Sequence, residues 1–383
     1  MTSAVPTVGV EEEFLLLDPA TKRPVPVGAP VTAAASAGDW GADVHQEFSP
    51  VQIEMATRPC HDLAELRAQL GLGRAKLAAA ARAADARLIA SGTPPIGDPG
   101  PPPITDDPRY GRMALAYGAL IENQGVCGCH VHVGVPSPER AVQVCNHLRP
   151  WLPVLLALSA NSPFMHGTDT GHASWRSLVW SRWPVSGIPP YLRSARHYES
   201  LVLSMINSGV IVDRRMIYWY VRPSSRFPTV EVRVADVAAT VDESVVLAGL
   251  VRALVTTAES AIQANRPALR LSDPFARAAS WRAARDGLDG WGIDLCTGEL
   301  VPAPRLVDHL VNHVTPALER NGDLATVLAG LKGLRDRGSA AERQRRAFRR
   351  RGEIIDVVDF LCEQTTSFLA EPMGAAQPAG GGS

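Results

Sequence analysis

The sequence has 383 residues, of which 46% are hydrophobic and 20% are charged, a composition typical of globular proteins rather than disordered or fibrous ones. Lys and Arg together number 38 and Asp and Glu 39, and the resulting net charge of −1 argues against a protein that binds nucleic acid by neutralising its phosphates. Lysine is scarce, because the chain has only Lys22, Lys76 and Lys332. Any reaction that needs a lysine must therefore use one of these three residues.

The chain shows no pattern of membrane insertion or export. Its longest apolar stretches, such as 151–160 and 245–255, are short or interrupted, whereas a spanning helix needs roughly 20 apolar residues. Residues 1–9 lack the basic and apolar regions of a signal peptide. Six cysteines in a chain of this length do not indicate a disulfide scaffold. We therefore expect a cytoplasmic protein with reduced thiols and with no membrane or nucleic-acid partner.

In chain order, the first predicted element is a strand over 8–18, which is rich in Val, Phe and Leu. A second extended region covers 44–57, and Asp62 then provides the N-cap of a helix whose apolar residues recur at helical spacing. Residues 93–108 are rich in proline. Because proline has no backbone N–H to donate in a helix or a central strand, this segment is predicted to be a loop. The next predicted strand covers 126–135.

The second half of the chain is mostly helical. A helix over 140–160 is expected to break near Pro150, a short strand covers 229–234, and Asp242 is expected to cap a helix that reaches about Asn265. Further helices are predicted over 304–318, 324–334 and 341–369, the last of them interrupted at Gly352. Because short strands come irregularly between long helices, the pattern favours an α+β fold over a doubly wound sheet. We expect one domain over residues 1–370 and a disordered tail at 371–383.

Polar residues recur two positions apart on three of the predicted strands, which places both members of each pair on one face. The pairs are Glu11 with Glu13, His130 with His132, and Glu231 with Arg233. A solvated sheet face would also carry such pairs, so each pair alone favours an exposed surface. Glycines flank the two histidines, however, and glycine weakens a strand unless something must approach closely.

Further carboxylates accompany these pairs. Glu54 lies in the second extended region, seven residues after Glu47. Carboxylates and imidazole together are the ligands expected for a divalent metal such as Mg²⁺ or Mn²⁺. Glu12 differs, because it shares the opposite strand face with Val10 and Phe14, and there we expect an arginine partner or a sheet edge.

Common nucleotide-binding motifs are absent from the sequence. None of the three lysines follows the glycine spacing of a P-loop, and Gly71-Leu72-Gly73 lacks the third glycine of a dinucleotide fingerprint. If the protein binds ATP, metal ions and arginines must therefore hold the phosphates.

At these residues the sequence resembles the glutamate–cysteine ligase type 2 family, which includes the YbdK-type carboxylate–amine ligases. The matching motifs are Gly9-Val-Glu-Glu-Glu-Phe14, Gln52-Ile-Glu-Met-Ala-Thr57, Gly128-Cys-His-Val-His-Val-Gly134, Leu158-Ser-Ala-Asn-Ser-Pro163, Gly167-Thr-Asp-Thr170, and Arg222-Pro-Ser224 running into Thr229-Val-Glu-Val-Arg-Val234. Six motifs in order, with weaker likeness to about residue 365, make the resemblance specific.

The resemblance implies a glutamine-synthetase-like fold, in which a curved antiparallel sheet has helices packed on its outer side. It also implies that one catalytic domain uses ATP to ligate a glutamate-like carboxylate to a small-molecule amine, such as glutamate to cysteine, through an acyl phosphate. A homo-oligomer is consistent with the family. The sequence itself does not identify the substrates.

The resemblance also assigns roles to residues. Two or three Mg²⁺ or Mn²⁺ ions would be held by Glu11, Glu13, Glu47, Glu54, His130 and Glu231. His132 and Arg233 would contact phosphate groups. The chain departs from the family at two places, because Cys129 stands where relatives often have Gln, and Pro50 interrupts the segment between Glu47 and Glu54.

Arginines are the candidates for substrate and nucleotide contacts. Arg222, and less directly Arg176 and Arg182, could bind the substrate carboxylate, whereas Arg282 and Arg285 could contact the nucleotide. Each could equally lie on the surface, because Arg is the main basic residue of this chain.

Two alternative functions remain at this point. The pair His130 and His132 also resembles the HxH of amidohydrolase-type barrels, and a non-catalytic relative that binds amino acids or nucleotide would keep the same residues. Ordinary structural positions are expected for three other features. The arginine run over 343–351 and the pair His309 and His313 are predicted to be solvated helix faces, and Trp175, Trp180 and Trp183 are predicted to lie in a core or interface rather than to shape a substrate pocket.

Overall fold

The computed structural model describes residues 5–37, 40–97, 100–122 and 124–369. The predicted tail at 371–383 lies outside the described residues, so that prediction and the predicted domain boundary stay predictions. The strands are β1 Val8–Leu17, β2 Ala42–Gln46, β3 Gln52–Thr57, β4 Arg87–Ile89, β5 Gly128–Gly134, β6 Phe164–Met165, β7 Thr168–Asp169, β8 Ser186–Gly187, β9 Tyr218–Trp219, β10 Val221–Pro223, β11 Thr229–Asp236, β12 Trp291–Ile293 and β13 Leu300–Pro302.

The helices surround these strands. They are α1 Gly28–Ala35, α2 Leu63–Ala83, α3 Pro108–Tyr117, α4 Pro138–Leu148, α5 Leu152–Ser159, α6 Trp175–Trp180, α7 Ala195–Asn207, α8 Val241–Gln263, α9 Asp273–Asp286, α10 Ala303–Asn321, α11 Leu324–Arg337, α12 Ala340–Arg349 and α13 Ile354–Thr365.

One seven-stranded antiparallel sheet organises the molecule. Its order is β10-β11-β5-β1-β3-β2, and β4 also pairs with β1. One face carries buried apolar residues such as Val10, Phe14, Val131 and Val232, and the opposite face carries the polar pairs. The predicted α+β fold, with an antiparallel sheet backed by helices, is confirmed.

Helices α2 and α8 cover the apolar face of the sheet. Helix α2 begins as predicted, because the Asp62 side chain accepts a hydrogen bond from the Glu65 backbone N–H at 2.8 Å. Leu66, Leu70 and Leu77 recur along it and are fully buried. Gly73 faces the sheet so closely that an added Cβ would collide with Met55 Sδ, so this glycine serves helix–sheet packing.

Helix α8 is the core helix of the fold. It is the one described helix long and apolar enough to span a membrane by length and composition, but 72% of that stretch is buried inside the protein. Arg252, halfway along it, is fully buried and donates from Nε to Asp323 at 2.9 Å. The N-cap is Thr240, whose side chain accepts from Glu243, so the predicted cap at Asp242 is wrong and Asp242 lies in the first turn.

The structure corrects one predicted boundary and confirms three others. The extended region at 44–57 is a hairpin of β2 and β3, and Glu47 and Pro50 lie in its connection. The predicted break near Pro150 separates α4 from α5, and the break at Gly352 separates α12 from α13. The described part of the proline-rich loop contains no helix or strand before α3 begins.

Candidate active site

Strand pairing brings the polar residues together on one face of the sheet. Glu11 of β1 lies opposite His130 of β5, and Glu13 lies opposite Glu54 of β3. On the other side of β5, His132 lies opposite Glu231 of β11. Because residues two apart share a face, this register gathers side chains from four adjacent strands without any long loop.

These side chains line one cavity of about 520 Å³, which we call the acidic cavity. Its floor is the polar face of the sheet, and its mouth is bordered by the loop before α3, by α3 itself and by the β10–β11 hairpin. The predicted site residues that line it are Glu11, Glu13, Glu47, Glu54, His130, His132, Arg222, Glu231 and Arg233.

The ligand-type atoms of these residues form three overlapping groups. Within each group they lie within 4.8 Å of one another, a separation that one bound cation can bridge. The groups are Glu13 with Glu47 and Glu54, Glu11 with Glu54 and His130, and Glu11 with His132 and Glu231. All six predicted metal ligands are therefore placed together, and His132 is added to them.

The hydrogen bonding of the histidines fits a divalent ion. His130 Nδ1 lies 3.0 Å from Glu11 Oε2, which orients the ring, while its Nε2 is buried and has no hydrogen-bond partner among the described residues. His132 Nδ1 is held by Thr229 Oγ1 at 2.9 Å, and its Nε2 lies 3.3 Å from Glu11 Oε1. Buried polar atoms are rarely left without a partner, so Nε2 of His130 fits a metal ligand whose ring is oriented by the contact of Nδ1 with Glu11.

Burial and mutual repulsion shape the charges of the carboxylates. Burial, with Glu13 adding to it, raises the pKa of Glu47 to about 8. Burial also raises the pKa of Glu54 well above its usual value, and Glu47 and Glu11 raise it further. Carboxyl groups that resist ionisation when crowded are those that a cation would stabilise.

Two other carboxylates are ionised by local partners. Burial alone would raise the pKa of Glu11, but hydrogen bonds with His130 and His132 outweigh it, and the pKa lies well below its usual value. Burial acts in the same direction on Glu231, but two arginines outweigh it and lower its pKa. These groups are therefore negative at neutral pH.

Arg222 and Arg233 hold Glu231 between them. Arg222 donates from Nε and Nη2 to the two carboxylate oxygens at 2.8 and 3.0 Å, and Arg233 Nη1 contacts Oε1. Arg222 Nη1 donates to the carbonyl oxygens of Arg215 and Ile217, so four of its five N–H groups are used within the protein. The geometry therefore makes Arg222 a positioning residue for Glu231, and its expected contact with a substrate carboxylate stays a prediction.

Arg233 has a different environment. A β-bulge interrupts the pairing of β11 with β5 between Val232 and Ala235, and the Arg233 N–H donates instead to the Tyr220 carbonyl oxygen at 2.8 Å. The buried Arg233 Nε has no hydrogen-bond partner among the described residues. The bulge thus turns this guanidinium into the cavity, where the predicted phosphate contact stays a prediction.

The four other arginines that the sequence offered as substrate or nucleotide ligands do not line the acidic cavity. Arg182 donates to the Glu122 carbonyl oxygen at 2.8 Å, and Arg282 and Arg285 both pair with Asp286 on their own helix, α9. Arg176 is buried beside Gly128, where an added Cβ would overlap its Nη2, and Asp236 is 3.9 Å away. The structure therefore does not bring these four arginines to the predicted site.

The cavity also contains residues that the sequence interpretation missed or placed elsewhere. Arg109 and Tyr110 reach it from α3, and Tyr218 comes from β9. Trp180 and Trp183 pack in the core as predicted, and they also line the cavity wall. Arg109, Tyr110 and Tyr218 lie outside any alternating strand pattern, so the sequence gives no sign of them. For the two tryptophans, their close spacing around α6 was the one sign that they belong to the same pocket.

Glu12 confirms the expected arginine partner on the opposite face. It is fully buried and pairs with Arg74 of α2 through two contacts of 2.6 and 2.9 Å. Ser244 of α8 also donates to it. Glu12 therefore fixes β1 to the helical layer while its neighbours Glu11 and Glu13 face the cavity.

The fold is similar to that of a solved enzyme. The glutamate–cysteine ligase of Francisella tularensis, determined in complex with AMP, matches with a TM-score of 0.67 over 97% of this chain and 91% of that one, at 13% sequence identity. This match shows that the chain shares the fold of that enzyme.

Sequence comparison gives the family. The model of glutamate–cysteine ligase family 2 matches residues 7–360, and the chain belongs to this family. A protein of Saccharopolyspora erythraea, provisionally named glutamate–cysteine ligase 2-1, is 54% identical over 359 residues, 94% of each chain. One of Salinispora tropica with a similar provisional name is 49% identical over 360 residues, covering 94% of this chain and 95% of its own. The predicted ligase class is confirmed, and the amidohydrolase and non-catalytic alternatives are not supported.

Proposed function

We propose that this protein joins a carboxylate of glutamate to an amine, with cysteine as the first amine to test, at the expense of ATP and in the presence of Mg²⁺ or Mn²⁺. The observation that carries the proposal is the convergence of five carboxylate ligands, two imidazole ligands and Arg233 on one cavity. The reaction has two steps that both place negative charge on phosphoryl oxygens, which such a site is suited to stabilise.

The three ligand groups suggest how the cavity is used. Glu13, Glu47 and Glu54 would hold one ion, and the groups around Glu11 would hold one or two more. Bound divalent ions would neutralise the triphosphate and polarise the transferred phosphoryl group. Glu11 belongs to two of the groups, so the positions of the ions in these two groups would depend on each other.

The residues of the chain have distinct tasks in the reaction. A carboxylate oxygen of glutamate attacks the γ-phosphorus and ADP leaves; the neutral amine then attacks the acyl carbon, and phosphate leaves with the proton of the nitrogen. Arg233, fixed by the β-bulge, would contact the phosphoryl oxygens in both steps. Arg222 keeps Glu231 ionised and oriented, and α3 borders the mouth, where it would limit access of water to the acyl phosphate.

The direct test is release of ADP that requires both glutamate and an amine. We expect turnover by the metal-loaded protein and its loss in His130→Ala, with retained secondary structure by circular dichroism. His309→Ala is the matched control, because His309 is exposed on α10 and its Nδ1 lies 3.3 Å from Asp294. Absence of ADP release with every carboxylate and amine pair would refute the proposal.

Two further parts of the proposal concern context. We propose a cytoplasmic location, where ATP and reduced thiols are both present, and a homo-oligomeric assembly. Cell fractionation and light scattering of the purified protein test these two statements.

A further inference from the structure

Three aromatic rings form one wall of the acidic cavity. The ring centroids of Trp180 and Tyr218 are 4.6 Å apart, those of Trp183 and Tyr218 are 5.5 Å apart, and those of Trp180 and Trp183 are 6.3 Å apart. All three residues line the cavity, and we call them the aromatic wall. Rings at these separations and tilts form a continuous apolar surface beside an otherwise charged site.

The wall is rigidly supported from behind. Trp183 is 4% exposed, and its indole N–H donates to Gln124 at 2.9 Å. Tyr117 packs on Trp183 with a centroid distance of 4.9 Å, and the Arg176 guanidinium lies over Trp180, 5.7 Å from the ring centroid. Such support fixes ring orientations before any ligand binds, which lowers the entropy cost of binding.

The wall also carries two polar groups. Among the residues that the structure describes, neither the Trp180 indole N–H nor the Tyr218 hydroxyl has a hydrogen-bond partner. Burial raises the pKa of Tyr218 to about 12 although nearby Arg109 and Arg233 oppose the shift, so the hydroxyl stays protonated at neutral pH and can donate. An apolar surface with a few open polar groups is typical of a small-molecule subsite.

The position of the wall indicates which substrate it contacts. The Arg233 backbone N–H donates at 2.8 Å to the carbonyl oxygen of Tyr220, two residues after Tyr218, so the Tyr218 end of the wall lies beside Arg233. The adenine of ATP is separated from the γ-phosphate by a ribose and the triphosphate, whereas the side chain of the acceptor amine must lie next to the acyl carbon under attack. The side chain of glutamate is charged, so the arginines of the cavity accommodate it better than the rings of the aromatic wall do.

We propose that the aromatic wall is the acceptor subsite and that it selects amines whose side chain is aromatic or bulky and apolar over cysteine or alanine. This inference rests on the proposed function, because it names the acceptor class of the same ligation reaction. The hydroxyl of Tyr218 and indole N–H of Trp180 would bind a polar group of that acceptor.

The experiment tests the proposed ligase reaction and the proposed acceptor subsite separately. Hydroxylamine is small enough to intercept an acyl phosphate without the wall, so hydroxamate formed from glutamate and ATP reports the proposed function alone. In parallel, kcat/KM is measured for phenylalanine, tyramine, cysteine and alanine in the wild type, Trp180→Ala and Trp180→Phe. Trp291→Ala is the control, because Trp291 is 47% exposed on β12 and does not line the cavity.

The expected result is a selective loss. The wild type should prefer phenylalanine or tyramine over alanine, and Trp180→Ala should lose roughly 10- to 100-fold in kcat/KM for the aromatic amines, a larger loss than in hydroxamate formation. Trp180→Phe should recover part of that loss, and Trp291→Ala should match the wild type.

Three outcomes would overturn the inference. If hydroxamate forms and both the wild type and Trp180→Ala use cysteine and phenylalanine equally, the assignment of the acceptor subsite is refuted. The proposed function would still stand. A raised KM for ATP, with unchanged KM for the amine, would assign the wall to the nucleobase. Absence of hydroxamate in a folded, metal-loaded sample would refute the proposed function and this inference with it.

Discussion

The fully buried pair of Arg74 and Glu12 offers the sharpest test of how the site is attached to its scaffold. Besides Glu12, Arg74 donates to the carbonyl oxygens of Ala238 and Ala239 at 2.9 and 3.2 Å, so one guanidinium joins α2, β1 and the start of α8. Arg74→Leu would leave the Glu12 carboxylate in the core with the Ser244 hydroxyl as its main partner.

The structure sets the size of the expected effect. Removing one partner of a buried ion pair leaves an uncompensated charge, which costs about 3–5 kcal/mol of unfolding free energy. The same two helices also carry an exposed pair, in which Arg67 Nε lies 2.7 Å from Asp242 Oδ1 with side chains 47% and 46% exposed. Breaking that pair with Arg67→Leu should cost less than ~1 kcal/mol.

Urea denaturation compares the two variants. Arg74→Leu should lower the midpoint much more than Arg67→Leu while leaving the slope unchanged, because the surface exposed on unfolding is the same. The double variant Arg74→Leu with Glu12→Leu should recover most of the loss, since an apolar pair replaces the buried charges. Equal costs for Arg74→Leu and Arg67→Leu would refute the argument that burial makes the first pair critical.

Other predictions concern the cavity itself. Arg222→Ala removes the bidentate support of Glu231 and should weaken Mn²⁺ binding about 10- to 100-fold in calorimetry without nucleotide, whereas unchanged affinity would contradict the positioning role. Burial raises the pKa of Glu47 to about 8, above the usual 4.5, so the metal-free folded state retains a proton that the unfolded state releases. The unfolding free energy of the metal-free protein should therefore fall as the pH rises from 4.5 towards 8. Mn²⁺ binding at neutral pH should release protons, and Glu47→Gln should reduce that release. Gly128→Ala should displace Arg176 and cost about 1–3 kcal/mol in thermal denaturation, while Gly125→Ala, which meets no atom within 4 Å, is the control.

The sequence predicted the floor of the site because a strand has a fixed alternation. Once the segments around Glu11, His130 and Glu231 were assigned to strands, the faces of their side chains followed. The roles of the arginines could not be predicted in the same way. Whether Arg222 contacts a substrate or Glu231 depends on its pairing across the β10–β11 hairpin, which no local pattern encodes.

The rim of the cavity was missed for a different reason. Arg109 and Tyr110 lie on α3, whose position depends on long-range contacts such as the pairing of Arg109 with Asp213 and the packing of Tyr110 on Phe48. These contacts join segments that are distant in sequence and have no shared periodicity. Tertiary packing, rather than propensity, decides where such a segment lies.

The run Glu11-Glu12-Glu13 shows how one residue type acquires opposite tasks within a single strand. Alternation sends Glu12 into the apolar layer, where only a guanidinium with matched geometry makes a buried carboxylate tolerable. It places Glu11 and Glu13 in the cavity, where histidines and other carboxylates surround them and could together hold a cation. Because the three residues are consecutive on one strand, the Arg74 contact that fixes Glu12 also fixes the positions of Glu11 and Glu13 in the cavity. Stability of the core and geometry of the site are therefore coupled through three consecutive residues, so a variant such as Arg74→Leu should weaken metal binding even in the fraction of molecules that stays folded.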